Sequence, residues 1–590
     1  MGKQRDSRGA DQARRALIQG GAAAGALGAL GLPPGLARAV EIVVADEVRE
    51  VAGFRRELLV TPETLGVWLQ RLHDLGPIRA TGTPQCRAFE EYLASELGKL
   101  GFLRPPGPSF EGREERTIER DQYRLTSWDC SLENDCAVSV REDGGAARSL
   151  EVVSYYPFCG STRGQAPVTG RALYAGVGPQ AVHDVLANTD PATLAQAIVI
   201  VDMPVTNAGM ARIKLYPEGF GVDDPLLQTG APSAAGAGGA GFMKLLQDHC
   251  RGLVLCYTDV SNDAARYNWL PFSEPHGKIP ALWVGADSSA YLKSISGKAD
   301  ITLRCDARLT PNARADTLVA TLRGLSDETV MLTTQTDGPN ECNENGGLAL
   351  LALATYFSKI PVRDRRRTLV FSLPTGHYAA GAVADPVTGS GMRAGTFGVV
   401  AKRPELMKQV VAQVAMEQLG AMEWADIDGK YIATGRVAPQ FWLPTNGEAP
   451  ARPPGVAASP GGAPVVGGDE HTAAAARRMF MASTRGEGAS LARDGLVVSG
   501  YAPGEGGVLR ARGIPGIGLM GSPSYFFRAD PRGVLDKLNP EVMQTQVAIF
   551  AKILTLMDRL SVAQLKGLAP ISDDDIFRWQ PPVRKPTTLW

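Results

Sequence analysis

The sequence predicts an α/β protein whose mixed, mostly parallel central sheet is flanked by helices, with a second, β-rich unit inserted into it. Three observations carry that expectation. The chain has 590 residues, more than one hydrophobic core ordinarily organises, so two or more domains are expected. From residue 315 onward, short apolar runs alternate with helical patterns, the rhythm of strand–helix units in a parallel sheet. Before that rhythm begins, a separate block of short buried strands and helices lies near 166–306, behind a β-rich stretch.

The chain opens on "ARRALIQGGAAAGALGALGLPPGLARA", which joins a twin arginine (Arg14, Arg15) to a mildly apolar run and a small-x-small end at Ala37-Arg38-Ala39. The run is too short and too weak to span a bilayer permanently, and its three parts resemble a twin-arginine export signal over residues 1–39. The expected location is periplasmic, cell-envelope or secreted. Residues 40–165 form a lead-in, where "TPETLGVWLQRLHDLG" and "CRAFEEYLASELGKLGF" carry apolar residues at helical spacing. Within 166–306, "QAIVIVDMPV" and "GLVLCYTDV" read as buried strands, "AGFMKLLQDH" as a helix, and "ADITLRCDARL" as an edge strand that closes the block.

From 307 to 568 the order is strand "TLVATLRG", strand "ETVMLTTQ", an apolar helix to Phe357, strand "RTLVFSLP", a helix at "RPELMKQ" and strand "VVAQVAMEQLG". A Pro/Gly/Ala-rich stretch covers 444–468 and is too broken to pack. "NPEVMQTQVAIFAKILTLMDRL" is a long amphipathic helix, and 569–590 reads as a surface tail.

Composition narrows the function classes. A formal net charge of −1 leaves no cationic surplus to neutralise phosphates, so nucleic acid is not an expected partner. Hydrophobic content of 44% and charged content of 21% are those of a globular chain. Among the eight cysteines, Cys130 with Cys136 and Cys250 with Cys256 are close enough in sequence to close small loops in an oxidising compartment; buried free thiols are the plain alternative. No pair has C-x-x-C spacing, which argues against a structural zinc site. "GAGGAG" (Gly236 to Gly241) satisfies G-x-G-x-x-G, but no strand runs into it, so helix packing is the better reading than a dinucleotide site. "TGSGM" does not follow a strand and reads as a turn.

Several pieces in order resemble one family, the zinc aminopeptidase and glutamate carboxypeptidase clan in its form with an inserted protease-associated domain. "TLVATLRG", "RTLVF" and "MEQLG" match its frame, and "IPALWVGADSSAYL" resembles the inserted domain. The resemblance covers most of residues 55–560. It implies two zinc ions held by histidines and carboxylates at strand ends, a metal-activated water, and a glutamate that takes its proton.

At those positions the ligands are largely replaced. Gln335 stands where the H-x-D histidine belongs, while Asp337 keeps the aspartate. The bridging aspartate falls at Cys342, with Glu341 and Glu344 nearby; the glutamate pair falls near His377 and Tyr378; Glu417 matches the next acid; and the late histidine falls at Phe526 or Phe527. Too few strong ligands remain for a dinuclear zinc site.

Two readings of these residues stay open. In one, Asp337, Glu341 and Glu417 hold a single divalent metal, zinc first, or none, with His377 and Glu344 catalytic and His377 a general base oriented by Asp337 or Glu417. In the other, they line a solvated acidic crevice that keeps only the family's loop shape. Glu470-His471 reads as a helix start, and His73, His183, His249 and His276 as packing or surface groups. "ARYNWLPF" reads as packing before ligand contact. The leading expectation is an exported pseudopeptidase that binds a peptide-like or small ligand; an active hydrolase with a rearranged site and a cell-envelope scaffold are the alternatives.

Overall fold

The computed structural model describes residues 49–103, 116–204, 242–269, 276–378, 395–438, 440–444, 470–487, 497–498, 505–510, 512–521 and 523–578. The export-signal segment, "GAGGAG", "TGSGM" and nearly all of the 444–468 stretch lie outside them.

The helices form where the sequence supplies caps and one apolar face. Helix Pro62–Asp74 starts with Thr61 accepting from the Thr64 N–H and a proline in its first turn, and it buries Leu65, Leu69 and Leu72. Helix Pro84–Lys99 repeats the device, with Thr83 accepting from the Cys86 N–H. Helix Gly346–Ser358 is apolar on all sides and is buried over nearly its whole length. Helix Pro540–Arg559, capped by Asn539, contributes Met543, Val547, Phe550 and Leu554 to the same core. Full burial of each such side chain is worth roughly 1.5–3 kcal/mol.

These helices cover a mixed sheet of eight strands. Four neighbouring strands are parallel, in the order Thr368–Leu373, Thr329–Thr333, Val410–Glu417 and Gly516–Gly521. Arg308–Leu322 and Arg116–Asp129 extend one side as a long antiparallel ribbon, and Gln440–Pro444 with Val497–Val498 extends the other. Thr329–Thr333 and Thr368–Leu373 are buried along their whole length, and their sequences are mainly apolar, as parallel strands covered on both faces require.

Between the two ribbon strands the chain builds a second eight-stranded sheet, from Cys136–Glu142 to Ala299–Cys305. Val168–Val177, Ala197–Met203, Gly252–Tyr257 and Ala281–Val284 run parallel within it. Ala299–Cys305 is not an edge strand. It lies between Cys136–Glu142 and Val168–Val177, antiparallel to both. Its alternating burial imitates an edge, but alternation reports only that one face is covered, not that one side lacks a partner.

The chain stays packed through helix Asp573–Phe577, where Ile576 is buried. No helix among the described residues is long and apolar enough to cross a membrane.

Candidate active-site crevice

The carboxyl ends of the four parallel strands bring together the residues that sequence reasoning singled out. Thr329–Thr333 feeds the loop 334–345, Thr368–Leu373 feeds Gly376, His377 and Tyr378, and Glu417 ends its own strand. Segment 523–530 closes the rim. The Asn340 side-chain amide donates to the carbonyls of Tyr525 (3.0 Å) and Arg528 (2.9 Å), and that of Asn343 donates to Phe526 O (2.6 Å). From the second unit, Trp269 lies over this edge. Its backbone N–H donates to Phe527 O (2.6 Å), and its ring sits 5.9 Å from that of Tyr378. Trp269, in the described part of "ARYNWLPF", is thus part of a roof.

Under that roof, every residue from Thr334 to Asn345 is buried, so a charge there needs a partner inside the protein. Asp337 is enclosed. Its Oδ1 accepts from the N–H groups of Gly376 (2.9 Å) and His377 (3.1 Å), and its Oδ2 from the Tyr378 N–H (3.1 Å) and the Thr81 hydroxyl (2.5 Å). Burial still pushes its carboxyl above the usual range, against the pull of these donors and of His377.

Glu344 pairs with Arg79 at 2.7 Å, both side chains fully buried; burial raises the carboxyl's pKa, and Arg79 opposes it. Glu341 accepts from the Val534 N–H (2.8 Å) and meets His73 Nδ1 at 2.5 Å. Gly533 is required beside this pair. Its φ is +75°, and a Cβ there would lie 2.1 Å from Glu341 Oε1.

The ring of His377 is oriented neither by Asp337 nor by Glu417. Its Nδ1 lies 2.7 Å from Oε1 of Glu505, a residue not singled out in the sequence. Oε2 of Glu505 takes the N–H of Thr396 at 2.9 Å and bonds its hydroxyl as well. The Glu505 N–H donates to Glu417 at 2.9 Å. Asp337 is spent on backbone N–H groups and Glu417 on a loop amide, which is why the ring turns to Glu505. Burial lowers the pKa of His377, but the bond to Glu505 and the charges of Glu505, Glu417 and Asp337 outweigh it and raise it to about 9. At neutral pH the imidazole is therefore a cation and has no lone pair for a proton. Glu417, itself pushed upward by burial, is 3% exposed.

The residues that the resemblance set against metal ligands make structural contacts here. Gln335 donates from Nε2 to the backbone (3.2 Å) and side-chain (2.9 Å) oxygens of Asn343, which closes the loop on itself. Cys342 and Phe527 are buried among apolar neighbours. Gln418, next to Glu417, holds a left-handed φ of +54°, unusual for a residue with a Cβ.

The donor set does not suit the family's zinc pair. Oxygens here without a hydrogen-bond partner are Gln335 Oε1, Gln418 Oε1 and Glu344 Oε1, two of them neutral amides and poor zinc donors beside imidazole. Among the described residues, these acids and histidines form no group of three whose ligand atoms lie within 4.8 Å of one another. No catalytic step through zinc is derived for this crevice.

Beside the His73–Glu341 pair, an open cavity of about 660 Å³ is lined by charges of both signs, among them Asp263, Arg528, Asp530, Arg532 and Lys537, with Trp424 and Tyr431. Sequence reasoning placed His73 with the packing and surface groups; the fold puts it at the contact between this cavity and the buried loop. His276 does pack, with Nε2 2.9 Å from Thr126 O and its ring against Phe158.

With this geometry described, similarity to solved structures is informative about fold. A peptidase M28 precursor from Shewanella amazonensis superposes with a TM-score of 0.52 at 14% identity, covering 85% of this chain and 96% of its own. A zinc aminopeptidase from Bacillus subtilis superposes with a TM-score of 0.50 at 10% identity, covering 86% and 98%. The fold is aminopeptidase-like. No family model and no curated protein matches the sequence.

Proposed function

We propose that this chain is an exported pseudopeptidase: an aminopeptidase-type scaffold with an inserted protease-associated-type unit, whose former active-site crevice has become a structural core, and which binds a peptide-like small ligand. One observation carries the reading. The loop that would present metal ligands is buried from Thr334 to Asn345, and Asp337, Glu341 and Glu344 are each bonded to groups of the protein itself. The cation on His377 is a second support, since a protonated imidazole is not a general base.

The ligand reading draws on the cavity beside His73, whose volume and mixed charges suit a zwitterion with a small apolar side chain. Arg532 is exposed there and paired with Asp530 at 2.9 Å, so it is poised to exchange that partner for a ligand carboxylate.

The test combines turnover and binding. The chain is incubated with aminoacyl and peptidyl substrates in the presence of zinc, manganese or no added metal, and thermal unfolding is recorded with a panel of dipeptides. The expected result is no metal-dependent turnover, and a rise in Tm with at least one dipeptide that shrinks in Arg532→Ala; saturation at 100 times Kd corresponds to about 2.7 kcal/mol. Metal-dependent turnover abolished by Glu417→Gln would instead establish an active hydrolase with a rearranged site.

A further inference from the structure

The spacing of the cysteines argues against a structural zinc site, yet the fold gathers four of them. Cys130 follows the ribbon strand Arg116–Asp129, Cys136 opens Cys136–Glu142, Cys305 ends Ala299–Cys305, and Cys159 lies in the turn after Tyr155. Cys136 and Cys305 face each other in antiparallel register. The sulfurs of Cys130 and Cys136 are 3.5 Å apart, those of Cys130 and Cys305 4.0 Å, and those of Cys159 and Cys305 3.6 Å. The Cys130, Cys136 and Cys305 sulfurs all lie within 4.8 Å of one another.

From this convergence we infer a tetrathiolate zinc site formed by Cys130, Cys136, Cys159 and Cys305. A zinc–sulfur bond of about 2.3 Å sets the sulfurs of a tetrahedral site ~3.8 Å apart, close to the separations of Cys130 from Cys136 and Cys305. A disulfide would require about 2.05 Å and would join the sulfurs two by two. Here Cys130, Cys136 and Cys305 are mutual neighbours, as around one central ion, and Cys159 adjoins them at Cys305, so one ion would draw its sulfur in as the fourth ligand. The surroundings suit a closed structural site: all four cysteines are buried, and Trp128, Tyr155 and Phe158 wall them in. Trp128 also fixes the Cys159 turn by donating from Nε1 to Cys159 O at 3.1 Å.

The place of the cluster says what the ion would do. The chain leaves the first sheet at Asp129 and returns to it at Arg308. Cys130 and Cys305 stand just inside these two crossings, with Cys136 and Cys159 on the second unit beyond them. One ion bound to all four would tie both crossings to the second sheet, and so hold that unit, with Trp269, over the crevice. Zinc closed in by four thiolates has no open position and is structural. This inference does not rest on the pseudopeptidase reading.

The full chain is purified without chelators, its zinc is counted, and its thiols are titrated in denaturant with and without chelator. One zinc per chain is expected, with all eight cysteines reactive once chelator is present. A thiol-directed mercurial added to the folded protein is expected to release that zinc stoichiometrically. Cobalt(II) exchanged into the site is expected to show the thiolate-to-metal charge-transfer absorption of tetrahedral coordination. Cys305→Ser and Cys159→Ser are expected to retain at least tenfold less zinc, while Glu417→Gln retains it all. The mercurial and cobalt readings use the unaltered protein, so they stand if a variant fails to fold. Absence of zinc after incubation with the metal under reducing conditions overturns the site. So does a mass about 2 Da lower per bridge, with the corresponding thiols missing, which would mark disulfides instead.

Discussion

The crevice of the first sheet and the cysteine cluster of the second are both buried and polar, but they are built on opposite principles. In the crevice each acid has an internal answer: Arg79 for Glu344, backbone amides for Asp337, His73 for Glu341 and a loop amide for Glu417. In the cluster, four sulfurs face mainly one another. A site whose charges are already paired has little free energy left to gain from a cation, whereas a set of converging thiols gains a great deal. The comparison teaches that resemblance to a metalloenzyme and capacity for a metal can reside in different parts of one molecule.

The largest expected effect breaks the pairing in the crevice. Arg79→Ala leaves Glu344 buried without its cation and also removes the donor to Leu72 O; unfolding by denaturant should show a loss of about 3–5 kcal/mol. The double variant Arg79→Met with Glu344→Met should cost less than the single change, because the desolvation penalty of both charges disappears. If the single change costs little, the crevice acids are not internally neutralised and the contrast with the cluster fails.

Next comes Asp337→Asn, which keeps the oxygen that answers Gly376 and His377 but turns the other, which accepts from the Tyr378 N–H and the Thr81 hydroxyl, into a donor. A loss of about 2–3 kcal/mol in the same measurement is expected, with the zinc content of the cysteine cluster unchanged. Loss of bound metal in this variant would return the metal site to the crevice.

The third effect is a pH dependence. The pKa of His377 rises from 6.5 to about 9 on folding, so the folded state holds the extra proton between those values. The stabilisation is complete below pH 6.5 and is lost as pH climbs through 9, by about 3 kcal/mol. His377→Gln should flatten the stability profile across that window. A wild-type profile already flat there would mean that Glu505 does not hold the ring as described.

Parts of this were legible in residue order. The strands Thr329–Thr333, Thr368–Leu373 and Val410–Glu417, the all-apolar helix Gly346–Ser358, and a polar loop at a strand end follow from hydrophobic periodicity and turn chemistry, which are local properties. Ala299–Cys305 shows the limit, since its alternation revealed a covered face but not its two neighbours.

What only the tertiary structure decided is who meets whom. Glu505 reaches His377 across 128 positions, Arg79 reaches Glu344 across 265, and Cys159 and Cys305 are 146 apart. No spacing rule encodes such pairs. They arise when strands are ordered side by side and their ends are brought to a common edge, and that order is set by the summed burial of many apolar side chains rather than by the polar residues it happens to bring together. The sequence by itself determined the elements and the scaffold. The packing of the sheets decided that the acids would be answered from within and that the cysteines would converge.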